Sequence, residues 1–408
     1  MQVSQRNNLL LLVGLLIIFV VMVVAVRQFF TLEAAGANDF YPRWRGAQLF
    51  WQEGMDPYSE EATAVIQTDM YGRLAKPDED QVLFVYPFYV VFVLLPLTWL
   101  PVSYSWIQAI WLTVMIFSLI TAVVLTLRLL DWTMPPWLFA LTLIWTILFY
   151  NSTRTIILGQ FAALILLWLA AALLMLKQEQ YGWAGIFLAL TTIKPQMTLF
   201  VLPALLLWAL WQKKWRLIFG FGGMMVGLLT LSFLFLPSWL SGFMAQVNAY
   251  PGYTVTPSPL WIITQYYFSF LGKPVEIGLT VMLLLYMLAL WWKLVKIPDY
   301  SREMLLILSI TMIVNNMVLV RTATTNFIVL YIPLLFCLQL LHNHFRRGQL
   351  WVALFYALSF FSLWVLFLVT IVGDQEHVIM FLPLPLLLLF VLVWLLHKPS
   401  ANKIIQPH

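Results

Sequence analysis

The sequence predicts an all-α polytopic membrane protein, and three observations carry that prediction. Of its 408 residues, 62% are apolar and only 10% are charged, against about 45–50% and about 25% in soluble domains. The apolar residues gather into runs of roughly 14–23, near the ~20 that a helix needs to cross a ~30 Å hydrocarbon core. Ten of the 17 acidic residues lie between positions 27 and 82, which is also the longest polar stretch. Strands with open edges are excluded in lipid, where an unpaired backbone finds no partner. A mean hydropathy of +0.90 excludes a water-soluble or disordered chain.

The elements follow in order. A first apolar run at 8–26 is longer than the ~7–15-residue core of a signal peptide. It reads as an uncleaved first helix, although Ala35-Gly36-Ala37 has the look of a cleavage site. Residues 27–82 form an extracytoplasmic loop with juxtamembrane helices. One of these is expected over Pro42–Glu53, where Trp44, Ala47 and Trp51 make one apolar face that can lie on lipid or on protein. Gly54-Met55-Asp56-Pro57-Tyr58 is a turn. Pro87, Pro96 and Pro101 punctuate residues 83–100, so that segment is expected to lie along the outer surface or re-enter, not to cross. Later spans are expected at 105–127, 137–150, 159–176, 182–193 with 197–211, 216–236, 275–296, 303–320, 326–341, 350–372 and 378–397. The whole chain, 1–408, is then one membrane domain of about 12 transmembrane helices. Its helical bundle covers 83–397 and its cytoplasmic tail 398–408.

Charge fixes the orientation. Lys213-Lys214-Arg216, Lys293 with Lys296 and Arg302, Arg346-Arg347, and Lys398 with Lys403 fall between spans. The positive-inside rule places them in the cytoplasm. The 27–82 loop, Lys194-Pro195, the 237–273 loop and Arg321 then face outward. The expected location is a plasma membrane, with multiple passes.

One cysteine, Cys337, excludes an internal disulfide framework and a cysteine-based zinc site. All five histidines follow position 341, and they form no helical H-x-x-x-H pair. The informative residues are ionisable ones flanked by apolar sequence. Lys194 stands before Pro195 inside a long apolar region, where two half-helices should meet. It is either a lysine reaching for the interface or a cation aimed at an anionic group. Arg321, within Val320-Arg-Thr-Ala-Thr-Thr-Asn326, has a forked guanidinium suited to phosphate, with threonines and Asn326 as polar partners. Its alternative is a capped loop arginine. Arg154 is a third candidate cation. It follows Asn151-Ser152-Thr153, which matches a glycosylation sequon. Gln160 opens an apolar run, where it is either a helix-start residue or a partner for a sugar hydroxyl.

Asp39 lies just beyond the first helix. A carboxylate at that depth is either a general base or a partner for Arg43 or Arg45. Asp78-Glu79-Asp80 matches the D-x-D metal motif of nucleotide-sugar transferases, but on this topology it reads as a solvated acidic turn.

The order of motifs resembles a known family. One N-terminal span is followed by an outer Asp, a Gly-x-Asp-Pro-Tyr turn, Tyr86-Pro87, Leu158-Gly159-Gln160 and Ala184-Gly-Ile-Phe-Leu-Ala-Leu-Thr-Thr-Ile-Lys194-Pro195. This is similar to the polytopic family 87 of the GT-C glycosyltransferases, which includes polyprenol-phosphate-mannose-dependent α-mannosyltransferases. The resemblance covers about residues 10–340. It implies a GT-C fold with the active site on the extracytoplasmic face, Asp39 as catalytic carboxylate and a polyprenyl-monophosphate sugar as donor. It implies no cofactor and no metal. The chain departs from the family where Tyr86-Pro87 is followed by Phe88 instead of a second proline. It departs again where Arg321–Asn326 replaces a Ser-Pro motif.

The resulting expectation is an inverting glycosyltransferase that moves mannose or another hexose or pentose to an acceptor hydroxyl. Asp39 takes the acceptor proton. Lys194, Arg321 and Arg154 hold the donor phosphate, and Tyr41, Tyr58, Tyr86, Gln160, Gln196 and Asn326 contact substrate. The partners are the lipid-linked donor, a lipid or glycan acceptor and membrane lipids, with no nucleic acid. A lipid-linked glycan transporter or flippase, and an oligosaccharide ligase or polymerase, are the alternatives. The chain lacks the internal repeat of many transporters.

Overall fold

A computed structural model describes residues 2–33, 37–250, 257–319, 322–373 and 376–397. Helix α1 (Gln2–Val26) leads into the outer segment, which holds α2 (Tyr41–Glu53), α3 (Glu60–Tyr71) and α4 (Val90–Thr98). The bundle follows with α5 (Tyr104–Leu129), α6 (Pro136–Leu148), α7 (Tyr150–Ile157), α8 (Ala162–Lys177), α9 (Tyr181–Leu190), α10 (Val201–Trp211) and α11 (Trp215–Phe235). After α12 (Trp239–Ala249) and the single turn α13 (Pro259–Trp261) come α14 (Gly272–Leu294), α15 (Arg302–Val318), α16 (Tyr331–His344), α17 (Gly348–Thr370) and α18 (Pro383–His397). There is no β-strand among the described residues.

Among the described residues, seven helical stretches are long and apolar enough to cross a bilayer, and four more apolar helices are shorter. α1, α11, α14 and α17 bury few of their apolar side chains, as suits lipid-facing helices. α16 and its lead-in turn are mostly buried and form the centre of the bundle together with α15.

The 83–100 segment holds only a nine-residue helix, α4. It rises about 13 Å at 1.5 Å per residue, under half of the hydrocarbon thickness. α2 lies on it through the expected apolar face. Trp44 Nε1 donates to Leu97 O at 3.2 Å, Trp51 Nε1 to Val91 O at 3.1 Å and Gln52 Nε2 to Thr98 O at 2.6 Å. Two of these carbonyls belong to the last turn of α4, which has no intrahelical donors for them. The amphipathic helix thus sits on protein. It ends at Gly54 and α3 ends at Gly72, both in the left-handed conformation that closes a helix.

α9 and α10 form an antiparallel hairpin, with the Tyr181 ring 6.4 Å from that of Trp208. Two 3₁₀ turns, Thr191–Ile193 and Pro195–Met197, form its tip, and Lys194 stands between them. The hairpin is held against α11 by backbone contact. A Cβ on Gly185 would lie 2.2 Å from Leu217 O, and one on Gly220 would lie 2.2 Å from Gly182 O. Small residues permit such approach between membrane helices.

The bundle has two unlike ends. At one, Lys177 Nζ bonds Asp131 at 2.5 Å and Lys214 Nζ bonds Asp299 at 2.6 Å. At the other, α1 delivers the chain to α2–α4, and Thr31 Oγ1 donates to Ser105 O at 2.8 Å. The tip of the α9–α10 hairpin lies at this second end.

Replacing Gly185 by valine should push α11 off α9 and cost ~1–3 kcal/mol. Thermal unfolding of the detergent-solubilised protein measures this, and Gly222→Val, with open space around it, should cost far less.

Candidate active site

Asp39 lies at the N-terminal approach to α2, where the backbone is tied down on both sides. Ala37 N donates to Ile157 O at 2.8 Å, and Phe40 N and Tyr41 N both donate to Ala37 O. The Phe40 ring stacks on Trp111 at 4.7 Å. Asp39 itself is half-buried.

Gly159 explains why Gln160 can meet it. Its φ of +66° is a conformation that favours glycine. A Cβ there would stand 2.6 Å from the Phe40 Cβ. Trp111 Nε1 donates to Gly159 O at 2.8 Å, and Gln160 N donates to Thr155 O at 2.9 Å. The Leu-Gly-Gln motif is therefore a sharp turn packed directly under the segment that carries Asp39.

Lys194 approaches from the hairpin tip. Pro195 stops the first helix, because it has no N–H to continue the ladder. Asn315 of α15 then braces the break: its Nδ2 donates to Gln196 O at 2.9 Å and its Oδ1 accepts from Phe200 N at 3.2 Å. Tyr89 OH donates to Thr192 O at 2.9 Å on the other side. Lys194 is 4% exposed.

These three residues form a chain of polar contacts. Gln160 Nε2 donates to Asp39 Oδ2 at 2.5 Å, and Lys194 Nζ donates to Gln160 Oε1 at 2.5 Å. Only one orientation of the amide serves both, since a carboxylate only accepts and an ammonium only donates.

They line a cavity of about 450 Å³ with Arg43, Tyr86, Gln196, Asn326 and the apolar residues Leu199, Phe243 and Val247. Arg43 is 9% exposed, and its Nε has no hydrogen-bond partner among the described residues. Its guanidinium stands 5.1 Å over the Tyr86 ring, a cation–π contact. Asn326 is buried, and its Oδ1 is likewise without a partner there. The site combines a half-exposed carboxylate, two buried cations and amide groups facing one space.

Arg43 had drawn attention in the sequence only as a possible partner for Asp39. A signal was present: Arg43 shares a face of α2 with Ala47 and Phe50, at i, i+4 and i+7. Arg45 lies on another face and bonds Asp69 at 2.9 Å.

Tyr41, Tyr58 and Arg154 do not line the cavity. Tyr41 OH donates to Asp69 at 3.1 Å, and burial together with that carboxylate pushes its phenol up to about 12. Tyr58 OH donates to Tyr86 O at 2.6 Å, so it supports the cavity wall from behind. Arg154 is not part of the cavity lining. It pairs with Glu376 at 2.6 Å, and Glu376 also accepts from Tyr150 OH and Thr324 Oγ1. Arg321 lies outside the described residues, although Ala323 and Asn326 beyond it line the cavity. Asn151 of the sequon is buried, and its Nδ2 donates to Thr324 O.

In the acidic turn, Arg73 grips Glu79 with two bonds of 2.7 Å. That pair, with the Lys76 backbone N–H, holds the Glu79 carboxyl down to about 2. Asp80 Oδ1 accepts from Val82 N at 2.9 Å. These carboxylates are engaged in shaping the turn, and they do not line the cavity.

Residues 84–322, more than half of the chain, match Glycosyltransferase family 87. The protein belongs to that family. Its reaction class is therefore glycosyl transfer, which sets an enzyme above a transporter. The family 87 match contains Tyr86, Gln160, Lys194 and Gln196; it begins after Asp39 and Arg43 and ends before Asn326. No curated protein and no solved structure matches this family 87 chain.

Arg154→Gln would leave Glu376 charged and largely buried, at a cost of roughly 3 kcal/mol. The double variant with Glu376→Gln should recover much of that loss in thermal unfolding. Recovery of stability without loss of sugar transfer would mark the pair as a structural tie.

Proposed function

We propose that this protein is an inverting glycosyltransferase that takes its sugar from a polyprenyl-monophosphate donor, with the site facing the extracytoplasmic side of a plasma membrane. The observation that carries this reading is Asp39, the one carboxylate among the described lining residues, facing the buried cations Lys194 and Arg43 across one cavity.

The chemistry divides between the two charges. A polyprenyl phosphate leaves with increasing negative charge, and fixed cations lower the barrier by stabilising it. Lys194 and Arg43 fill that role, and Arg321, two positions before the cavity-lining Ala323, is a third candidate by its place in the sequence. Arg154 is omitted, since Glu376 already balances its charge. Asp39 accepts the proton of the acceptor hydroxyl as that oxygen attacks the anomeric carbon from the face opposite the phosphate. One displacement inverts the centre, so a β-linked donor gives an α-linked product. Tyr86, Gln196 and Asn326 offer polar contacts for the sugar. Leu199, Phe243 and Val247 give the prenyl chain an apolar wall, and the cavity is within the usual size for small-ligand sites.

Donor and orientation have separate support. The cavity has an apolar side made by Leu199, Phe243 and Val247 at one end of the helical bundle, which suits a donor with a long lipid tail. Lys213, Lys214 and Arg216 lie at the opposite end, and the positive-inside rule assigns that end to the cytoplasm. On this reading α1, α5, α6, α8–α11 and α14–α18 each pass once through the membrane as a GT-C bundle, and α2–α4 and α7 lie at the outer surface. The sugar is mannose or another hexose or pentose, and the acceptor is a lipid or glycan.

Membranes carrying the protein, supplied with radiolabelled polyprenyl-phosphate mannose, should transfer label to endogenous acceptor. Asp39→Asn should lower that transfer ~10²–10⁴-fold, and Lys194→Ala by on the order of 10²–10³, with both proteins folded. Near-normal transfer by Asp39→Asn would overturn the general-base role.

A further inference from the structure

The best-defined contact in the cavity is not a residue facing an empty space. It is an amide inserted between two opposite charges. We propose that Gln160 is a positioning residue that keeps Asp39 and Lys194 from pairing with each other. The inference rests on the reading of Lys194 as a ligand of the donor phosphate.

An ammonium and a carboxylate in a water-poor cavity attract strongly, and direct contact is their default. Direct contact would disable both. A carboxylate gripped by an ammonium is a poorer base, and an ammonium neutralised by a carboxylate is a poorer phosphate ligand. Here the Gln160 amide satisfies one oxygen of Asp39 and one donor of Lys194. Asp39 Oδ1 makes no hydrogen bond among the described residues, so it stays available for a proton. Two of the three ammonium donors of Lys194 likewise have no partner among the described residues and remain for a ligand.

Each member of the relay is anchored through its own backbone, so only the long lysine side chain is left to swing towards Asp39 once the amide is removed. Gln160 is fixed by the left-handed Gly159 and by the bond from its N–H to Thr155 O. Asp39 is fixed by the Ala37 turn and the Phe40–Trp111 stack above Gly159. Lys194 is fixed by Pro195 and the Asn315 brace. Arg43, Tyr86 and Tyr250 also face this cavity, and Arg43 is the other cation that acts on Asp39. With both ends of its amide engaged, Gln160 serves the charges first and a sugar hydroxyl only second.

The test uses binding, so it needs no acceptor. The full-length protein in nanodiscs is titrated with undecaprenyl monophosphate and read by native mass spectrometry. Gln160→Met, close in shape but without the amide, should bind about tenfold more weakly, as Lys194 turns to Asp39. Adding Asp39→Asn to Gln160→Met should return affinity to within about threefold of the parent, because no carboxylate remains to capture the lysine. Gln160→Glu should bind weakly with or without Asp39→Asn, since the new carboxylate takes Lys194 directly. Mere damage to packing would not be repaired by changing Asp39. Parent-like binding by Gln160→Met, or a double variant as weak as the single, overturns the inference. Parent-like binding by Lys194→Ala would instead overturn the phosphate reading beneath it.

Discussion

A lysine ammonium buried among membrane helices must be met by an oxygen, and in this protein that oxygen belongs to the Gln160 side chain. Much of that end of the bundle serves the meeting. The Gly159 turn sets where the amide begins, the α9–α10 hairpin brings the lysine to its tip, and Asn315 holds the hairpin open at the proline. α2 brings Asp39 and Arg43 over the same point, itself seated on the carbonyl end of α4. In lipid no water is at hand to satisfy a misplaced polar group, so these groups have to be arranged together.

The division of charge between the two ends of the molecule follows the same economy. At the basic end, Lys177 and Lys214 pair with exposed acids in a setting where each contributes little. At the other end, Arg154 has a nearly buried partner, and that partner also takes hydroxyls from α7 and from the segment after residue 321. Glu376 thereby fastens separate parts of the chain together, while Lys194 and Arg43 have no carboxylate in direct contact among the described residues. The paired Arg154 belongs to the frame, and Lys194 and Arg43 face the cavity.

Much of this was legible in the sequence. Apolar runs marked the long helices to within a few residues, because helix length is set by bilayer thickness. Asp39, Lys194 and Gln160 stood out because polar groups beside apolar runs are costly and rarely accidental. Arg154 stood out for the same reason, yet its partner lies more than two hundred residues away, and no local pattern reveals whether a charge is already matched. Arg43 was hidden by Arg45, two positions on. Only the register of α2 on α4 decides which of the pair turns inward. Tyr41 and Tyr58 carry the right chemistry in the right segment, but their hydroxyls are occupied by Asp69 and by the Tyr86 carbonyl.

The glycine contact between α9 and α11 has a mechanical consequence. With backbone touching backbone at Gly182, Gly185 and Gly220, no side chain is present to deform, and the two helices can tilt only as a single plate. α11 is also among the most lipid-exposed helices in the bundle. A bilayer of unsuitable thickness tilts such a helix, and the tilt is delivered undamped to the short turns that carry the lysine. The position of Lys194 should therefore follow the tilt of α11.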